Sequence, residues 1–135
     1  MELKNLFSGD TLTLPDDLLW SDEHSWSPVV SSVSYLITGS LLVQSATRQA
    51  GRSITLVAPA DMAWVTRASV NLLRDWAAMP LGTSSGQFQL TFADARILTV
   101  AFRHGDGALE AEPVTGFVAR SDSDFYRITV KLMQI

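Results

Sequence analysis

His24 and His104 are the two imidazoles of this 135-residue chain, and they bound its acid–base and metal chemistry. His24 follows Asp22 and Glu23 in an acidic, Ser-rich stretch, a run of oxygen and nitrogen donors of the kind that hold hard or borderline cations. Consecutive side chains point in different directions, however, and no Asp-x-Asp-x-Asp-Gly loop supports them, so no metal site is expected. His104 lies in Arg103-His104-Gly105-Asp106-Gly107, which reads as a hairpin turn. Gly-Asp-Gly could form a phosphate nest, but no Gly-x-Gly-x-x-Gly or Lys-Ser/Thr follows it before a helix. A serine triad needs a nucleophile beside a base and an orienting acid, and no Gly-x-Ser-x-Gly elbow is present. The absence of cysteine excludes thiol nucleophiles, disulfide scaffolds and Cys-based zinc or iron–sulfur sites. Fourteen acids always permit a carboxylate pair somewhere, and nothing in the sequence selects one. The expectation is a protein without catalytic, cofactor or metal residues, and not an enzyme.

Composition points the same way. An apolar content of 47% is that of a folded chain, and no run approaches the roughly 20 residues of a membrane-spanning helix. The first residues, Met1-Glu2-Leu3-Lys4-Asn5, lack the basic and apolar regions of a signal peptide. A net charge of −4 is not the basic footprint of a nucleic-acid reader. The charge is unevenly distributed. Residues 1–30 hold Glu2, Asp10, Asp16, Asp17, Asp22 and Glu23 against Lys4 alone. Residues 31–103 hold Arg48, Arg52, Arg67, Arg74, Arg96 and Arg103 against Asp61, Asp75 and Asp94. An acidic end and a cationic middle would register one copy head-to-tail on the next; equally, the acidic stretch is a loop kept in water.

The elements that must position these residues follow from periodicity. The length predicts a single domain over 1–135, with an acidic N-terminal loop segment over about 1–28. Within it, Thr11 to Leu14 alternates as a short strand ended by Pro15. Trp20 and Trp26 sit in a loop too polar to leave two large rings unsupported, so they are pinned on the domain body or against a partner. Val29–Thr38 and Leu41–Gln49 read as strands joined by a Gly39-Ser40 turn. Residues 53–57 form another strand closed by Pro59, and 62–66 is a short strand or a bridging segment. Leu72, Leu73, Trp76 and Ala77 form one stripe of a helix over 67–79, terminated by Pro80 and Gly82. Such a stripe is read as core. Period-two alternation returns at 87–92, 98–102 and 108–114. A polar loop over 119–124 leads to a last strand, 125–135, with Ile128, Val130 and Leu132 inward. The fold class is mainly β: a β-sandwich or partly closed barrel of about seven strands with one flanking α-helix.

The run Leu14-Pro15-Asp16-Asp17-Leu18, Trp20-x-Asp22-Glu23-x-x-Trp26 and Gly51-Arg52-x-Ile54-Thr55-Leu56 resembles small tail proteins of long-tailed bacteriophages. Leu72-Leu73, Trp76, Phe88-x-Leu90, Asp94-x-Arg96, Val100-x-Phe102-Arg103 and Tyr126-x-Ile128-Thr129-Val130-Lys131-Leu132-Met133 extend the likeness over about residues 12–135. The pattern is similar to the distal tail protein or a tail-tube-like baseplate ring component. This resemblance implies a tail-tube-like fold assembled as a homo-oligomer, a hexameric ring that joins tail tube to baseplate hub around the DNA channel. Its partners would be the tube, tape-measure and hub proteins, with DNA passing through non-specifically and no membrane contact. The location implied is the virion tail, assembled in the host cytoplasm. Two departures stand out: no carbohydrate-binding-like second domain follows, and Ser53 stands where the family pattern has Pro.

Interface candidates are Trp20, Asp22, Glu23 and Trp26 of the acidic segment and Arg48 and Arg52 of the cationic middle. Lumen candidates are acids on turns, Asp94 and Asp106, because an acidic wall repels the phosphate backbone. The alternative is a small glycan- or ligand-binding β-domain, a prophage adhesin that stacks sugars on exposed rings of Trp20, Trp26, Trp64 or Trp76.

Overall fold

The computed structural model describes residues 1–116 and 119–135. Its central strand is the last one, β11 (Phe125–Gln134), whose alternation is the clearest in the sequence. Tyr126, Ile128, Val130 and Leu132 are buried on one face, while Arg127, Thr129 and Lys131 lie on the other. Ten residues allow β11 to hold neighbours along both edges. On one side it pairs β9 (Ile97–Phe102) and then β10 (Leu109–Pro113). On the other it pairs β6 (Ser53–Val57) and the short β7 (Val65–Thr66). The sheet continues outward through β8 (Phe88–Thr91), β1 (Glu2–Asn5) and β2 (Thr11–Thr13) beyond β9, and through β3 (Leu19–Trp20) beyond β6. All these pairings are antiparallel. The rolled sheet brings Trp20 of β3 onto Phe92, which follows β8, so the fold is a partly closed mainly-β structure.

The helix α1 (Arg67–Ala77) covers the core. Thr66 caps its N-terminus by accepting a hydrogen bond from the Ser69 N–H, so one of the first-turn donors is satisfied. Leu73 and Trp76 are buried, and Trp76 meets Phe88 at 5.3 Å between ring centroids. Phe88 in turn meets Phe102 edge-on at 5.1 Å. The expected helical stripe is therefore core, and the helix stops two residues earlier than the periodicity suggests. Of the undecided segment 62–66, only Val65–Thr66 is strand. Ala63 precedes it at φ +60, a left-handed turn that keeps the earlier residues off the ladder.

The first 28 residues hold more strand than the expected acidic loop segment with its one short strand at 11–14. They contribute three strands, and Leu3, Leu12, Leu14 and Leu18 enter the core. β1 is inserted between β2 and β8, so both of its edges are paired. Asn5 at its end is 3% exposed, and its side-chain oxygen accepts hydrogen bonds from the N–H groups of Phe7 (3.0 Å) and Ser8 (3.3 Å). Replacing Asn5 by Ala leaves those donors without their acceptor in the turn, with an expected loss of about 1–3 kcal/mol in urea unfolding.

β4 (Val29–Tyr35) and β5 (Leu41–Thr47) form a second sheet by themselves, paired in register from Val29–Thr47 to Tyr35–Leu41. Their turn is wider than the two residues expected. It spans Leu36 to Ser40, closed by Leu36 N–H to Ser40 O (2.8 Å), with Gly39 at φ +84. Neither strand joins the main sheet, and every residue from Ser27 to Gly51 is exposed.

Candidate functional site

Seven-residue strands at about 3.4 Å per residue make β4 and β5 a ribbon about 24 Å long. No Asp, Glu, Lys or Arg occurs between Glu23 and Arg48, in a chain whose charged content is 18%. One face of the ribbon presents Val29, Val33, Tyr35, Leu41 and Val43; the other presents Val30, Ser32, Ser34, Leu42 and Gln44. Exposure reaches 60% at Val33 and 77% at Tyr35, and Ile37 at the tip is fully open. Surface strands of monomers normally carry charges that blunt pairing with other chains. A bare, uncharged ribbon with two unpaired edges has the opposite character, that of an interaction surface.

The ribbon projects because both of its legs are held at the root. On the entry leg, the Asp22 carboxylate accepts from Thr55 N–H and Thr55 Oγ1–H, each at 2.9 Å, and Arg103 donates to the same Thr55 hydroxyl. Arg52 donates to the Glu23 carbonyl at 2.8 Å, and its guanidinium lies 4.5 Å from the Trp20 ring centroid and 5.9 Å from that of Trp26. Trp20 stacks on Phe92 at 5.1 Å and 8° between planes. Arg96 sits over Phe92 at 5.1 Å, with Nη1 on Glu23 Oε1 (2.9 Å) and Nε on Asp94 Oδ2 (2.7 Å). The result is a clasp of two tryptophans, three acids and three arginines that ties residues 20–26 to the sheet. On the exit leg, Arg48 N–H bonds Pro28 O, and Gly51 N–H and Arg52 O pair with Gln134. Gly51 holds φ +92 there, a conformation that suits glycine.

Burial opposes ionisation of Asp22, yet the two Thr55 hydrogen bonds and the nearby Arg103 outweigh it and hold its carboxyl below the ordinary aspartate value. A carboxyl with a depressed folded pKa stabilises the native state at neutral pH. That contribution is lost as the pH falls below about 3.9, the unfolded value, through the lower folded one. An Asp22→Asn variant is therefore expected to lose stability at pH 7, with the gap to the parent narrowing as the pH falls below about 3.9, as thermal melts across pH would show.

Of the six interface candidates, Trp20, Asp22, Glu23, Trp26 and Arg52 come together in the clasp, turned to contacts within the chain. Arg48 alone stands exposed at the ribbon root, with no ion pair among the described residues. The acidic end and the cationic middle thus meet inside one molecule. The lumen candidates are both exposed and each faces an arginine: Asp94 pairs with Arg96, and Asp106 with Arg103 at 3.2 Å. His24 is exposed, and His104 Nε2 lies 2.8 Å from the Ala77 carbonyl at the end of α1. Among the described residues no group of three or more His, Asp and Glu could hold a metal. As for sugar platforms, Trp20 and Trp76 are buried, Trp26 is half-buried under Arg52, and Trp64 tilts against Phe125 at 6.1 Å.

The feature that sequence reasoning missed is the detachment of the ribbon. Its signal was present as the charge-free interval from His24 to Thr47. No protein-family model, curated protein or solved structure matches the chain.

Proposed function

We propose that this protein is a structural subunit of a bacteriophage tail, assembling as a hexameric ring between the tail tube and the baseplate hub. The observation that carries the assembly is the ribbon: nineteen uncharged residues, 29–47, exposed on both faces and held out by a clasp that closes the body's own charges. Leaving this much apolar surface in water is unfavourable by ~25 cal/mol per Å², and a protein neighbour removes that cost. The ring's place in a phage tail rests on the sequence resemblance given above. In that setting the partners are copies of the chain, tube, tape-measure and hub proteins, and DNA passes through the opening without sequence readout.

Negative-stain images of the purified chain at high concentration test this reading. Closed rings with a central opening are expected; a field of isolated small particles at every concentration contradicts it.

A further inference from the structure

Two unpartnered features of this chain match each other. The first is the ribbon. The second is β10, which pairs with β11 along one edge only; among the described residues its other edge makes no backbone hydrogen bond. Pro113, which has no N–H to give a ladder, ends β10 as an edge strand permits. Beside this open edge a groove of about 420 Å³ separates β10 from α1. Its walls are mostly small apolar side chains, Val70, Ala77, Ala78, Ala108, Leu109 and Ala111, with Arg74 and His104 also lining it. Small residues along both walls leave room for a larger apolar side chain from elsewhere.

We propose that the ribbon of one copy docks along the open edge of β10 on the next copy, with its tip side chains Leu36 and Ile37 seated in the groove between β10 and α1. This inference rests on the assembly reading above and names the surface that receives the arm. The ribbon's free strand edges supply the donors and acceptors that the five residues of β10 leave unpaired, a strand-addition contact. Its lack of charge means the arm brings no ionised group of its own under α1.

The other free edges fit less well. β2 offers three residues next to Asp10, Asp16 and Asp17, and β3 offers two, next to the clasp. A ribbon of this size presents on the order of 1,000 Å², comparable with the ~800 Å² each partner gives to a stable interface. Its seven-residue strands are shorter than the ~9–11 residues with which a strand crosses a bilayer, which favours a protein partner over a lipid one. Donor and acceptor are different surfaces, so each copy gives one arm and receives one, a heterologous contact of the kind that closes into a ring when the rotation between copies permits.

The chain has no cysteine, which makes cross-linking clean. A chain carrying both Ile37→Cys and Ala111→Cys, oxidised or treated with a short bis-maleimide, is expected to give a covalent ladder up to six copies. Each single variant is expected to give pairs at most. Ala111→Arg, which fills the groove from an exposed position, should weaken association at least tenfold without moving the melting temperature. A double variant that sediments as an oligomer yet yields no ladder beyond pairs overturns the docking site and leaves the assembly reading standing. A chain that neither cross-links nor oligomerises overturns both. Flotation of the chain with phosphatidylcholine–phosphatidylglycerol vesicles, lost on Ile37→Asp, overturns the proposal in favour of a lipid surface.

Discussion

Val33→Lys is expected to prevent the proposed ring from assembling while leaving the fold of each chain as it was. Val33 lies mid-ribbon opposite Val43 and is 60% exposed, so the substitution removes no contact with the body. Within one chain the new ammonium stands in water, and such surface changes move stability by only about ±0.5 kcal/mol. Against a neighbour the same ammonium is desolvated, and the nearest acids of the receiving strand, Glu110 and Glu112, are already held by Lys131 and Arg127. Leaving a buried charge unpaired costs about 3–5 kcal/mol, which weakens association on the order of 10²–10³-fold. Sedimentation velocity reads the loss of assembly, and a thermal melt reads the intact body. Val33→Thr, which keeps β-branching without charge, should retain most of the association.

Trp20→Ala acts on the other half of the design, with the largest expected effect on stability. Trp20 is 8% exposed, stacks on Phe92, donates its ring N–H to Ser53 O and lies under the Arg52 and Arg96 guanidiniums. Removing the ring opens a cavity and deprives two cations of their aromatic face, for an expected loss of about 3–5 kcal/mol in urea unfolding. The loss should extend beyond the body, because Glu23 and the entry leg of the ribbon are held through the same arginines. Hydrogen exchange of residues 21–30 is expected to accelerate in this variant even under conditions where the core strands remain protected. A loss below about 1 kcal/mol would show that the stack is not a structural clasp.

The parts of this architecture that could be read from the sequence are those whose pattern is local. Tyr126, Ile128, Val130 and Leu132 alternate because one face of β11 is core, and period two is the direct imprint of that burial. Leu73 and Trp76 mark the buried side of α1 in the same way. β1 was not legible: Glu-Leu-Lys-Asn has no β-branched residue, and it is a strand because β2 and β8 pair with it on both sides. The Trp20–Phe92 stack joins positions 72 residues apart through the roll of the sheet, which no local pattern encodes. At the ribbon the limitation is different. Its β-branched and apolar runs announce two strands, but such runs look alike whether they meet their own body or another chain. Only the long interval without charge separates the two cases, and its meaning depends on knowing that no strand of the body pairs with β4 or β5.

The most direct test of the central claim compares the sedimentation of the full chain with that of a chain whose ribbon is cut back to Val29–Ser31 and Ser45–Thr47 joined by Gly-Ser. Both should melt at closely similar temperatures, because the removed residues are exposed throughout and pair with no strand outside the ribbon. The full chain is predicted to sediment at the mass of six copies and the shortened one at the mass of one. An oligomer of unchanged size after the ribbon is removed, or a full chain that stays single at millimolar concentration, contradicts the account.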